Sequence, residues 1–107
     1  MKVPDVMEKV LEKIKDMSGI SSIPEDKISF GIKVDVELDE NQYNELINML
    51  NSMGYKSYNT GAVGQGLVME IYYNSRTREF IAIYYMKYIK HKIDFIIYYR
   101  GIYEVYT

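Results

Sequence analysis

An α+β fold, an antiparallel sheet of about five strands with two helices packed on one face, is predicted by three features of the chain. Residues 3–17 and 40–53 repeat apolar side chains at three- and four-residue steps, as amphipathic helices do. Residues 28–38 alternate apolar and polar with a period of two, the signature of a strand with one wet face. Three later runs each carry a Tyr-Tyr pair, Tyr72-Tyr73, Tyr84-Tyr85 and Tyr98-Tyr99, separated by connectors short enough for antiparallel hairpins.

Taken in order, the first helix places Val6, Met7, Val10, Leu11, Ile14 and Met17 on one stripe. Pro4 suits its first turn and Gly19 its C-terminal cap, with residues 20–25 as the following loop. The strand at 28–38 turns Ile28, Phe30, Ile32, Val34, Val36 and Leu38 to one side. Asp39 and Gln42 then form a capping-box pattern that starts the second helix, whose stripe is Tyr43, Leu46, Ile47, Leu50 and Met53, and Gly54 is its natural stop. A short strand at 55–59 and a flexible glycine loop at 61–66 lead into strand-like runs at 67–73, 79–89 and 93–106, joined through 74–77 and 90–92. The order is α-β-α-β-β-β-β, a single domain over residues 1–107.

Neighbouring residues on a strand face opposite ways, so each Tyr-Tyr pair puts one ring on either side of the sheet. Ile81 and Ile83 alternate with Phe80, Ala82 and Tyr84, and neither face of that run is polar. Two helices cover one face. A five-stranded face of seven-residue strands measures roughly 550 Å², at the limit of the apolar patch that monomers expose. Pairing two such faces removes about 1,100 Å², near the lower end of specific interfaces, so a homodimer is expected, with Tyr72, Tyr85, Tyr98, Ile81 and Ile83 as its interface.

The 107 residues are 48% hydrophobic and 26% charged, the balance of a folded globular domain, and no apolar run is long enough to span a bilayer. The N-terminus lacks a signal-peptide pattern, and with no cysteines the chain has neither disulfides nor thiolate chemistry; a cytoplasmic setting is expected. The net charge of −2 is unevenly spread: residues 1–75 hold 7 basic and 12 acidic side chains, residues 76–107 hold 6 and 3. That asymmetry falls short of the basic footprint of a general nucleic-acid binder.

No spacing points to a catalytic, cofactor or metal site, and a non-enzymatic protein is expected. His91, between Lys90 and Lys92 in a connector, reads as a solvated turn residue. Asp35, Glu37 and Asp39 recur along one strand face, about 6.5 to 7 Å apart, too far to converge on a cation unaided. The glycines at 61–66 precede a strand instead of a helix, which argues against a phosphate loop. Arg76, Arg78, Lys87, Lys90, Lys92 and Arg100, interleaved with tyrosines, make the best nucleic-acid case, since sheet aromatics stack unpaired bases beside cations.

Residues 28–53, with Val36-Glu-Leu-Asp-Glu-Asn-Gln-Tyr-Asn-Glu-Leu-Ile47 at the strand-to-helix junction and tyrosine strands after it, resemble small proteins of viruses infecting thermophilic archaea. More narrowly they resemble the anti-CRISPR inhibitors of type I-D systems. The resemblance implies a homodimeric viral α+β protein acting in the host cytoplasm by binding a host interference complex. The acidic residues Asp35, Glu37, Asp39 and Glu40 are the expected contact with a basic groove on that partner. The alternative is a nucleic-acid-binding module that uses the basic, tyrosine-bearing strands.

Overall fold

A computed structural model describes residues 5–18, 26–28, 31–87 and 91–100. The elements are α1 (Asp5–Ser18), β1 (Asp26–Ile28), β2 (Gly31–Leu38), α2 (Glu40–Ser52), β3 (Lys56–Gly64), β4 (Leu67–Asn74), β5 (Glu79–Lys87) and β6 (His91–Arg100). The expected order of two helices and an antiparallel sheet holds, with one refinement at its start. The first strand is divided: β1 is a three-residue piece paired back on β2, Asp26 opposite Lys33 and Ile28 opposite Gly31. The cap at Gly19, the loop at 20–25 and the tail of the last strand beyond residue 100 lie outside the described residues.

The sheet runs β1-β2-β6-β5-β4-β3, every described pair antiparallel. Strands β3 to β6 form a meander, and β6 returns beside β2. Since β2 and β3 are therefore separated by three strands, the chain between them must cross the sheet, and α2 is that crossing. Its start is fixed by Asp39, whose carboxylate accepts from the Gln42 N–H at 2.8 Å while Gln42 Oε1 accepts from the Asp39 N–H at 3.0 Å. Gln42 Nε2 also donates to the Met17 carbonyl at 2.7 Å, tying the end of α1 to the start of α2.

Both helices pack on the same side. Val6, Met7, Val10, Leu11 and Ile14 of α1 and Tyr43, Leu46 and Leu50 of α2 are buried with Val34, Val36, Leu38, Ile81, Ile83, Ile93 and Ile96 of the sheet. Burying an aliphatic side chain of this size stabilises the fold by about 1.5–3 kcal/mol, so this layer is the main source of stability. Ile93 and Ile96 are three apart yet face the same way because Asp94 is an extra residue on β6: Tyr84 pairs with Phe95 and Tyr85 with Ile93. Opposite it, β2 carries its own irregularity between Lys33 and Val36, where Asp35 adopts a φ of 51°.

The glycine segment at 61–66 is not the flexible loop the sequence suggests. Gly61 and Gly64 belong to β3, paired with Met69 and Leu67 of β4. The turn itself is only Gln65-Gly66, at φ 51° and 82°, the doubly positive pair that a tight hairpin requires. At the other end of β4, Asn74 is buried and organises the next hairpin. Its Oδ1 accepts from the N–H groups of Arg76 at 3.1 Å and Thr77 at 3.2 Å, and its Nδ2 donates to the Met53 carbonyl at 3.3 Å, joining hairpin to helix end. Asn74→Ala is expected to cost about 2–3 kcal/mol, because it removes three hydrogen bonds that hold the hairpin and the helix end to one buried side chain. A thermal midpoint within a degree or two of the parent protein would show these bonds to be replaceable by water.

Candidate functional site

The three Tyr-Tyr pairs divide cleanly between the faces, and the two sets of rings do different things. Tyr72 and Tyr85 point to the helices and are buried, and Tyr98 packs partly buried on the same core. Each delivers its hydroxyl to a carboxylate: Tyr72 and Tyr85 donate to the two oxygens of Glu70, and Tyr98 donates to Glu79 Oε2 at 2.6 Å. Tyr43 of α2 closes over the Glu70 group. Its buried hydroxyl lies near that of Tyr72 but has no partner in good hydrogen-bond geometry among the described residues. The Tyr43 ring stacks on His91, centroids 4.0 Å apart and 9° from parallel, and His91 also leans on Tyr85 at 4.9 Å.

This placement corrects the expectation for His91. It opens β6 and is half-buried against two rings, and is not a solvated turn residue, because its strand position in β6 turns it toward Tyr43 and Tyr85. Burial pushes the phenol pKa values of Tyr43, Tyr55, Tyr72 and Tyr85 well above the usual tyrosine value. For Tyr72 and Tyr85 the hydrogen bond to Glu70 adds to burial; for Tyr55 the neighbouring Glu79 does. Phenols held neutral are donors, and poor nucleophiles or bases at neutral pH. The inner cluster is built to hold the layers together.

The outer face is formed by the alternate residues. Met69, Ile71 and Tyr73 of β4, Phe80, Ala82 and Tyr84 of β5, and Ile97 and Tyr99 of β6 make a second apolar cluster, with no helix in it. Tyr73, Phe80 and Tyr99 sit in register across three strands and stack face to face, 4.4 Å and 4.8 Å between centroids. Tyr58 of β3 extends the row with edge contacts to Tyr73 and Phe80, and Tyr84 stacks on Phe95 at 4.4 Å. The interface residues expected from sequence are therefore on the wrong side. Tyr72, Tyr85, Tyr98, Ile81 and Ile83 face the helices, and Ile81 and Ile83 are fully enclosed there. Alternation identifies two sets of residues but not which set the helices choose; here they took the set that includes the bare isoleucines.

The charged candidates are also rearranged. Asp35 and Glu37 are exposed on β2, but Asp35 pairs with Lys92 at 3.5 Å and Glu37 stands opposite Lys92 in the β2–β6 ladder. Asp39 is engaged as the cap of α2, and Glu40 is exposed in its first turn, where the helix dipole favours it. The acidic group is thus a mixed-charge corner. The basic set is split: Arg76 and Arg78 lie in the β4–β5 hairpin and Arg100 in register with Glu79, while Lys87 and Lys92 lie at the opposite end of β5 and β6. Nine strand residues separate those ends by roughly 25 Å. Lys90 lies outside the described residues.

Base stacking needs exposed ring faces, and the outer rings have turned theirs to one another. Among the described residues no group of three or more His, Asp and Glu side chains is placed to hold a metal ion. No described helix is long and apolar enough to cross a membrane. Glu70, Glu79 and Asn74 were not singled out by sequence. The signal for Glu70 was present: a lone acid inside Leu67-Val-Met-Glu-Ile-Tyr-Tyr73 must find donors if that run is a strand of the sheet. No family model, curated protein or solved structure matches the chain.

Proposed function

We propose that the chain is a non-enzymatic binding protein that self-associates through the outer face of its sheet and acts by attaching to another protein in the host cytoplasm. The observation that carries this reading is the row Tyr58, Tyr73, Phe80 and Tyr99 with Tyr84, Phe95 and Ile97 beside it, an aromatic face that no described helix covers. Ile71, Phe80 and Ala82 at its centre are already buried, so the exposed remainder is well below the roughly 550 Å² of the whole face, and pairing two copies removes less than about 1,100 Å². That is below the standard size of stable complexes, and the association is accordingly weak and concentration-dependent. Asp35, Glu37 and Lys92, on the β2–β6 ladder, form a charged rim for a partner. In this reading the resemblance at 28–53 supplies the partner's identity, a host CRISPR interference complex.

Sedimentation across a wide concentration range tests the self-association. A dimer is expected to form with a dissociation constant of order tens of micromolar, and Ile97→Lys, which buries a charge at the centre of the face, is expected to abolish it. Chain that stays monomeric at millimolar concentration removes the proposal. A pull-down from an archaeal host lysate with Asp35→Lys/Glu37→Lys as control tests the partner: capture of interference-complex subunits that the reversal does not weaken removes the acidic rim from the reading.

A further inference from the structure

β3 is the sheet's long open edge. It is nine residues long, pairs with β4 alone among the described strands, and is exposed along its length except at Gly61. The edge at the other end, β1, has three residues, two of them charged. Edge strands are normally protected by charges or proline, yet β3 has neither between Ser57 and Gly64. Its protection is slight. The ladder is irregular between Ser57 and Asn59 and between Ala62 and Gly64, where Tyr58 and Val63 are the extra residues. These two are also the exposed large hydrophobics of the described chain.

One hydrogen bond shows which main-chain groups face outward. The Thr60 N–H donates to its neighbour's side chain, Asn59 Oδ1, at 2.9 Å, an acceptor on its own strand. Alternation then turns the main chain of Asn59 and Gly61 toward β4 and that of Thr60 and Ala62 toward the open edge. The Asn59 amide thus occupies the place that the carbonyl of an added strand takes.

We propose that β3 is a docking edge for an extended, uncharged peptide segment of a partner protein, which adds to the sheet as a seventh strand beside Thr60 and Ala62. Area decides between this occupant and a second copy of the chain. Two edges of nine residues, about 30 Å by 10 Å each, remove roughly 600 Å² on pairing, half of what a stable dimer of folded domains buries but ample for a peptide. Shape agrees, since the irregularities at Tyr58 and Val63 bend the edge and a flexible segment follows a bend that a rigid copy cannot. Tyr58 and Val63 provide the apolar anchors, and Tyr58, already against Tyr73 and Phe80, joins the added strand to the outer aromatic row. The edge shares Tyr58 with the face used for self-association, but its outward main-chain groups lie outside that face, and the inference stands without it.

The test is a titration of the full chain with a short peptide of alternating valine and threonine bearing one terminal lysine, followed by amide NMR. Shifts confined to residues 57–64 are expected, with slowed exchange at Thr60 and Ala62. Thr60→Pro, which deletes an outward donor and leaves the β4 ladder intact, is expected to weaken binding about tenfold with an unchanged thermal midpoint. Asn59→Ala, which removes the competing acceptor, is expected to tighten it several-fold. Absence of shifts at millimolar peptide overturns the proposal, as do Asn59→Ala and Thr60→Pro proteins that bind like the parent. Shifts across 57–64 that track protein concentration without peptide and persist in Ile97→Lys, whose outer face no longer pairs, overturn it in favour of a second copy at the edge.

Discussion

Glu70→Ala is expected to destabilise the protein by about 3–5 kcal/mol, more than any single tyrosine-to-phenylalanine change in the same cluster. The asymmetry follows from what each change leaves behind. Both oxygens of Glu70 accept a phenol, from Tyr72 and from Tyr85, and both rings are buried beneath α2. Removing the carboxylate strands two hydroxyls in the core next to Tyr43, whose own hydroxyl already lacks a well-formed bond. Each orphan costs about 1–3 kcal/mol. Tyr72→Phe instead removes a donor from a carboxylate that is only half-buried and can turn to water, at a cost of about 1 kcal/mol.

Against a total stability of about 5–15 kcal/mol, the alanine variant is expected to melt some 15–20 °C below the parent. A second variant separates lost hydrogen bonding from lost packing. Glu70→Leu with Tyr72→Phe and Tyr85→Phe removes acceptor and donors together and is expected to recover most of the loss, since an apolar set of similar shape leaves nothing unsatisfied. Calorimetry of the three proteins decides. If Glu70→Ala melts within a few degrees of the parent, the hydroxyls find water and the cluster is not a structural hub.

The helical stripes were legible because amphipathic periodicity over 14 and 13 residues is a strong signal, and every α1 and α2 residue on them is buried or packed against the core. The capping box at Asp39 and Gln42 was legible for the same reason: it is local. What could not be read was non-local. Tyr72 and Tyr73 differ in role only because α2 lies over one side of β4, and nothing within the Tyr-Tyr pair records that choice. His91 looked solvated between two lysines, yet it opens β6 and lies against Tyr43, a residue 48 positions away. The glycines at 61–66 looked like a loop because glycine marks loops on average; in β3 Gly61 and Gly64 are edge residues with no side chain to pack, beside a Gln65-Gly66 turn that needs positive φ. The charge asymmetry was real as composition but did not survive as two surfaces, since Lys92 stands between Asp35 and Glu37.

Raising the pH is expected to unfold the protein cooperatively at about pH 11–12, well before its main chain is otherwise stressed. Tyr43, Tyr55, Tyr72 and Tyr85 are each almost fully enclosed, and burial first, then neighbouring acids, hold their phenols protonated in the folded state. In the unfolded chain the same groups ionise near pH 10. A folded pKa raised above the unfolded one gives stability that is complete below pH 10 and drains as pH climbs toward the folded value. Each such group removes about 1.4 kcal/mol per pH unit, so the four together remove about 5–6 kcal/mol per unit and exhaust a typical stability within one to two units. Near-ultraviolet phenolate absorbance and far-ultraviolet circular dichroism, followed on one titration, check this directly. Ionisation of the four buried phenols is expected to coincide with loss of secondary structure, and Tyr43→Phe is expected to lower the slope of stability against pH by about 1.4 kcal/mol per unit. Phenols that all ionise smoothly near pH 10 while the dichroism holds would mean that the layer beneath α2 is open to solvent, and both the hub at Glu70 and its sealed tyrosines would fall with it.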